Sequence, residues 1–297
     1  MKKLLVTGAS GFLGWHLCQL AQQAGWTVYG TYHTKTLQIP GVSLFSVDLS
    51  NFQDLKRCFQ TLQPTAVIHT AAQSKPNICQ ADPDATFPIN VTASLNLAGL
   101  CADALIPCVF TSTDLVFDGL NPPYRESDPV CPTSFYGQQK VAAETGMLAR
   151  YPQTAVCRMP IMFGMAAPTA ISFMQAFIQT LRQKRPLKLF TDEFRTPVSA
   201  STAAEGLLLA LELLALEQIQ GRLHLGGPER ISRYDFGRLM IEVLRLPESG
   251  LIASLQQDVK MAAPRPPDVS LDSSLAFSLG YAPPTLRQEL EGLAGKV

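Results

Sequence analysis

Thr7-Gly8-Ala9-Ser10-Gly11-Phe12-Leu13-Gly14 lies between an apolar run, Leu4-Leu5-Val6, and the segment Trp15-His16-Leu17-Cys18-Gln19-Leu20. The apolar run reads as a strand and the following segment as a helix. A strand, a glycine turn and a helix in that order make a phosphate cradle. Gly8 permits the tight turn, Gly11 lets backbone approach a pyrophosphate, and Gly14 lets the helix pack on the strand. The free N–H groups at the helix start then face the anion, with Ser10, Phe12 and Leu13 on the same turn. The spacing is G-x-x-G-x-x-G rather than the G-x-G-x-x-G of the usual dinucleotide fingerprint, and such a turn alone is a weak signal. Its setting between strand and helix strengthens it.

Working outward, short apolar strands alternate with helices through the first half. Strands are expected at Leu4–Val6, Thr27–Thr31, Val42–Val47, Ala66–His69, Cys108–Thr111 and Ala155–Arg158, with helices such as Phe52–Leu62 and Asn90–Ala104 between them. Strict alternation implies right-handed crossovers and a parallel sheet. After Arg158 prolines recur, and helical stretches (Ile171–Gln183, Thr202–Leu216, Tyr234–Arg245) are separated by irregular pieces. The expected fold is α/β, a Rossmann-type doubly wound parallel sheet with a smaller C-terminal substrate lobe. Residues 1–160 and 197–226 are assigned to the dinucleotide-binding part, and 161–196 and 227–297 to the lobe that closes over the sheet's C-terminal edge, where ligands bind in open α/β sheets.

Composition narrows the partners. The 297 residues carry 24 basic and 24 acidic side chains, so no charge surplus points to nucleic acid. Gly206–Leu211 is too short to span a bilayer, and the apolar run after Met1-Lys2-Lys3 breaks too soon for a signal peptide. Seven scattered cysteines without a C-x-x-C pair suit free thiols in a reducing cytosol, and four histidines show no ligand spacing. A cytoplasmic protein acting on a small soluble ligand, without membrane, nucleic acid or metal, is expected.

Tyr136-Gly137-Gln138-Gln139-Lys140 reads as helix, which puts Tyr136 and Lys140 on one face. A free Tyr has a pKa of about 10, and a nearby ammonium favours phenolate. Lowering it by about three units takes roughly 4 kcal/mol of differential interaction. Such a Tyr can exchange a proton near neutral pH; an ordinary surface helix is the plain alternative. Phe110-Thr111-Ser112-Thr113-Asp114 leaves strand five at the sheet edge, where a hydroxyl could hold a substrate carbonyl oxygen, or merely cap a turn.

Gly8, Gly11 and Gly14, a hydroxyl at the end of strand five and Tyr136-x-x-x-Lys140 together resemble the extended short-chain dehydrogenase/reductase family over essentially the whole chain. Thr113-Asp114-Leu115-Val116-Phe117-Asp118-Gly119 with Asn121–Glu126, and Arg265-Pro266-Pro267-Asp268, resemble more narrowly the dTDP-4-dehydrorhamnose reductases and the regulatory β subunit of methionine adenosyltransferase. The resemblance implies that Tyr136 gives a proton to the reduced carbonyl, that Lys140 holds the nicotinamide ribose and lowers the Tyr136 pKa, and that Thr113 polarises the carbonyl beside Asp114. It places Asp48 and Leu49 at the adenine, Ala71 and Ala72 along the cofactor, and Met159, Pro160 and Ile161 near the carboxamide. Arg265 is placed at a substrate pyrophosphate, with a surface salt bridge as its alternative.

Strand two ends in Gly30-Thr31-Tyr32-His33-Thr34-Lys35, without the acid that would accept from a ribose 2′-OH. His33 and Lys35 suit a 2′-phosphate, so NADP(H) is favoured over NAD(H). The expected function is an NADPH-dependent reductase of a nucleotide-linked 4-keto-6-deoxy sugar, with a non-catalytic NADP-binding regulatory subunit or a nucleotide-sugar epimerase as alternatives. Some relatives carry a metal-binding acid where this chain has Trp15, many have Tyr at the position of Leu115, and dehydratases carry Thr-Asp-Glu at Thr113–Leu115. Family precedent suggests a homodimer through the helices Asn90–Ala104 and Tyr136–Arg150.

Overall fold

The computed structural model describes residues 2–248 and 250–297. The first half runs β1 (Lys3–Thr7), α1 (Phe12–Gln23), β2 (Thr27–Tyr32), β3 (Val42–Ser46), α2 (Phe52–Leu62), β4 (Ala66–His69), α3 (Pro76–Ala81), α4 (Pro83–Phe87), α5 (Ala93–Ala104), β5 (Cys108–Thr113), α6 (Phe135–Arg150) and β6 (Thr154–Met159). The second half adds β7 (Met162–Phe163), α7 (Phe173–Arg182), β8 (Leu187–Phe190), β9 (Phe194–Arg195), β10 (Val198–Ser199), α8 (Ala200–Ala215) and β11 (Gly221–His224). It closes with β12 (Ile231–Ser232), α9 (Arg233–Leu244), β13 (Leu251–Ser254), α10 (Ser274–Ser278) and α11 (Leu286–Glu291).

Seven parallel strands form one sheet in the order β3-β2-β1-β4-β5-β6-β11. This is the doubly wound Rossmann arrangement, with its switch point between β1 and β4. The strands are covered on both faces, which is why Leu4–Val6 of β1, Ala66–Ile68 of β4 and Cys108–Phe110 of β5 read as continuous apolar runs rather than alternating ones. Helices α1 and α8 pack on one face through Leu17, Ala21, Ala203 and Leu207. On the other, α2, α5 and α6 bury Phe59, Leu97, Ala143 and Met147. A separate apolar cluster joins Phe163, Met174 and Leu181 to Phe236, Met240, Leu286 and Leu290, so the late segments have their own core.

Three differences from the sequence reading bear on the site. Strand β5 continues to Thr113, delivering that residue directly to the sheet edge. A seventh strand, β11, which the apolar pattern does not predict, pairs with β6. The long helix expected from Asn90 starts instead as a π-helical turn, Pro88–Thr92, which runs on into α5. No helix among the described residues is long and apolar enough to cross a membrane.

Candidate active site

The glycine turn is shaped by close contacts. Gly8 has φ +75°, and a Cβ there would lie 2.8 Å from the Ala71 Cα. A Cβ on Gly14 would run into the Gly8 carbonyl oxygen. Gly11 donates its N–H to that same oxygen at 2.8 Å and caps α1 without a side chain. No acid sits in the first turn of α1, so its positive end is left open to an anion. These features fit a dinucleotide phosphate. Gly8, Ser10, Gly11, Phe12, Leu13 and Gly14 line a cavity of about 1080 Å³ that continues past His33, Asp48, Leu49, Ala71 and Ala72 to Tyr136, Lys140 and Arg265. Asp48 accepts from the Ser50 hydroxyl at 2.6 Å and the Ser50 N–H at 2.9 Å, and these bonds hold its carboxyl below the usual range. Lys35 is not on the cavity wall; its ammonium donates to the Thr169 carbonyl at 3.0 Å.

Ser134 caps α6 by accepting from the Gly137 N–H. A Cβ on Gly137 would collide with the Leu115 carbonyl oxygen, so the glycine lets α6 lie against the end of β5. Tyr136 and Lys140, one turn apart, are both buried and both line the cavity. The Lys140 ammonium donates to the Thr111 carbonyl at 2.5 Å and lies 4.0 Å over the Phe110 ring. Burial pulls its pKa down to about 7, against the opposing pull of Glu144.

The Tyr136 hydroxyl moves the other way from the sequence expectation. Burial, then the charges of Asp114 and Cys79, push its pKa up, while Thr113 opposes them. With Lys140 turned to a backbone carbonyl, the phenol is held neutral.

A second cavity of about 480 Å³ adjoins the first, and Tyr136, Met159, Ile161 and Arg265 line both. Thr113, Asp114 and Pro160 line only the second. Its far wall carries residues that sequence reasoning missed: Lys188, Glu193, Arg195 and Arg233. Arg195 lies 3.5 Å from Asp114 and 3.3 Å from Glu193. Their only advance signal was the charged run Asp192-Glu193-Phe194-Arg195 ahead of Pro197. Arg265 forms no salt bridge among the described residues; it donates to the Asn77 side chain at 3.3 Å.

Behind the site, Glu144 accepts from the Ser112 hydroxyl, from Arg158 at 2.8 and 3.1 Å, and from Arg222 at 3.2 Å. The Asn90 side chain holds the Gln73 N–H at 2.8 Å and donates to Gln139 at 2.7 Å. It thereby ties the cavity-lining loop after β4 to the helix turn between Tyr136 and Lys140.

Comparison with known proteins agrees with this architecture. The family model described as "RmlD substrate binding domain" matches residues 1–296. The chain is 30% identical to "Probable low-salt glycan biosynthesis reductase Agl14" of Haloferax volcanii, over 97% of this chain and 96% of that one. It is also 30% identical to methionine adenosyltransferase 2 subunit beta of Pongo abelii, covering 94% of this chain and 83% of the relative. A crystal structure of a hypothetical dTDP-4-dehydrorhamnose reductase from Sulfolobus tokodaii is similar at TM-score 0.79 and 29% identity, over 93% of this chain and 94% of that one. The chain belongs to the RmlD substrate binding domain family.

Proposed function

We propose that the chain is an NADPH-dependent reductase of a nucleotide-linked 4-keto-6-deoxy sugar, of the dTDP-4-dehydrorhamnose reductase kind. The observation that carries this reading is the place of Tyr136. It stands where the large cavity that begins at the glycine turn meets the smaller, charge-lined one. A bound nicotinamide dinucleotide supplies the hydride. The chain's own residues hold and polarise the ketone. The neutral Tyr136 phenol gives its proton to the ketone oxygen. The Thr113 hydroxyl, now donating to Asp114 at 3.1 Å, turns to share that oxygen. Lys140 leaves the Thr111 carbonyl for the ribose and stabilises the phenolate that remains. Arg265 supports a pyrophosphate on the substrate.

NADP(H) is preferred in this reading because His33 lines the cavity just beyond β2 and the segment 30–35 that ends this strand holds no acid to accept from a ribose 2′-OH, the acid on the same wall being Asp48 after β3. A homodimer through α5 and α6 is the matching assembly. Purified protein should oxidise NADPH with dTDP-4-keto-6-deoxy sugar, and Tyr136→Phe should lower the rate by roughly 10²- to 10⁴-fold. The similarity to methionine adenosyltransferase 2 subunit beta favours one second reading, a regulatory subunit. Cofactor binding without turnover of any keto-sugar nucleotide, and co-purification with a larger enzyme, would select it instead.

A further inference from the structure

Arg233 opens α9 and lines the smaller cavity. Its side chain is mostly buried, at 15% exposure. The guanidinium carbon lies 4.1 Å over the Phe173 ring and 5.4 Å over that of Phe177, so two residues of α7 hold the plane of the group. Stacking on a ring leaves the in-plane N–H donors free. Among the described residues those donors meet no hydrogen-bond acceptor, and none of the three nitrogens is sealed from solvent. The one ion pair is loose: Glu193 is 3.9 Å from Arg233 Nε and closer, at 3.3 Å, to Arg195. A mostly buried cation whose donors are idle and open to a cavity is a place for an anion.

The charge of the cavity says which anion. Its wall sets Lys188, Arg195, Arg233 and Arg265 against Asp114 and Glu193, which leaves two positive charges unbalanced. A diphosphate diester carries two negative charges, one on each phosphate, and meets that surplus; a single carboxylate does not. Arg195 is engaged by Asp114 and Glu193, so Arg233 and Arg265 are the guanidinium groups left to hold it. The two are not equivalent. Arg265 lines both cavities and donates to Asn77, whereas Arg233 lines only the smaller one, together with Thr113 and Asp114. Arg233 thus stands toward the end where the ketone is held. We propose that Arg233 is a specificity-determining residue that grips the substrate phosphate attached to the sugar, while Arg265 supports the phosphate attached to the nucleoside, so that the chain selects diphosphates over monophosphates. The inference rests on the reductase reading of the same site. Burial pulls the Arg233 pKa down to about 10; Glu193 opposes the shift, and the charges of Arg195 and Arg265 add to it. The group is still charged at neutral pH, and an arriving dianion relieves the repulsion among these cations.

The test measures dissociation constants of dTDP and dTMP for full-length protein by calorimetry, with NADP+ and NAD+ both in excess to keep the nucleotides off the glycine turn. Wild type should bind dTDP at least about tenfold more tightly than dTMP, because a charge-assisted pair to the second phosphate contributes that much or more. In Arg233→Gln the ratio should fall to within about threefold. Arg233→Lys, which keeps the charge without the fork, should lie between the two. Arg265→Gln should weaken both nucleotides and leave their ratio in place. The ratio of two ligands on one preparation is insensitive to a partly unfolded sample. Equal binding of both by wild type, binding of neither, a ratio unchanged in Arg233→Gln, or one lost in Arg265→Gln instead, overturns the role of Arg233. NADPH oxidation with the keto-sugar nucleotide, followed on the same preparations, separates the two readings. Turnover with an unchanged ratio leaves the reductase standing without this contact. The expected ratio without turnover of any keto-sugar nucleotide removes the reductase reading and leaves Arg233 as a diphosphate contact alone.

Discussion

At the scale of single residues, Tyr136 and Lys140 show how burial sets chemistry that sequence spacing cannot. The i, i+4 spacing placed both on one face, but the Lys140 pKa of about 7 comes from burial beside Phe110. A pH dependence follows. If the ammonium form is the active one, kcat/KM should be level below about pH 7 and fall as pH rises above it, since this parameter reports the free enzyme. Glu144 helps keep the proton on Lys140, so Glu144→Gln should move the falling limb to lower pH. Stability has the opposite sign. Between the folded pKa of about 7 and the unfolded one near 10.4, the unfolded chain holds a proton that the folded chain has lost. This group therefore makes the fold more stable as pH rises through that window. Activity profiles and thermal melts of wild type and Lys140→Met separate the two effects; a limb that stays in place in Glu144→Gln rejects the assignment to Lys140.

At the scale of elements, the catalytic helix is fastened by charge as well as by packing. Glu144 of α6 and Arg158 of β6 are 1% and 0% exposed at the side chain and 2.8 Å apart, with Ser112 of β5 and Arg222 of β11 on the same carboxylate. Removing one member leaves a buried charge uncompensated. Arg158→Met should cost about 3–5 kcal/mol of unfolding free energy, whereas Arg158→Met combined with Glu144→Leu should recover a large part of it. Urea unfolding of the three proteins checks this, and a double variant that recovers nothing would show that an uncompensated Glu144 carboxylate is not the source of the Arg158→Met loss. This network was not legible in the sequence, because Ser112, Glu144, Arg158 and Arg222 are spread over a hundred residues without periodicity. What was legible has local causes. Strands buried on both faces leave apolar runs such as Ala66-Val67-Ile68, and the turn at Gly8 demands a residue that tolerates positive φ. Strand β11 was missed because Gly221-Arg222-Leu223-His224 has little apolar character, its half-buried arginine and buried histidine being satisfied only by distant partners. The start of α5 was read as one plain helix because a π-helical turn has no composition of its own.

At the scale of the whole molecule, the late segments reach back to the glycine turn and bear on cofactor choice. The Thr169 hydroxyl donates to the Ser10 carbonyl at 2.7 Å, His16 Nε2 meets the Met165 carbonyl at 3.0 Å, and Lys35 donates to the Thr169 carbonyl. Residues 165–169 are thus fastened to α1, to the glycine turn before it and to the loop after β2. Composition could not reveal this strap, since its partners are more than a hundred residues apart. Its geometry divides the two residues that the sequence grouped together. His33 lines the cavity, where a phosphate on the ribose can meet it, while Lys35 is committed to the strap. Under the NADP(H) reading, His33→Ala should therefore lower the preference for NADPH over NADH by roughly three- to tenfold, an exposed charge-assisted contact contributing on the order of 1 kcal/mol. Lys35→Ala should weaken both cofactors by a similar factor and leave their ratio unchanged, because it loosens a strap fastened to the glycine turn that serves both. Fluorescence titration of each variant with NADPH and NADH measures the ratio directly. A loss of NADPH preference in Lys35→Ala with none in His33→Ala would mean that Lys35 leaves Thr169 for the phosphate when the cofactor binds.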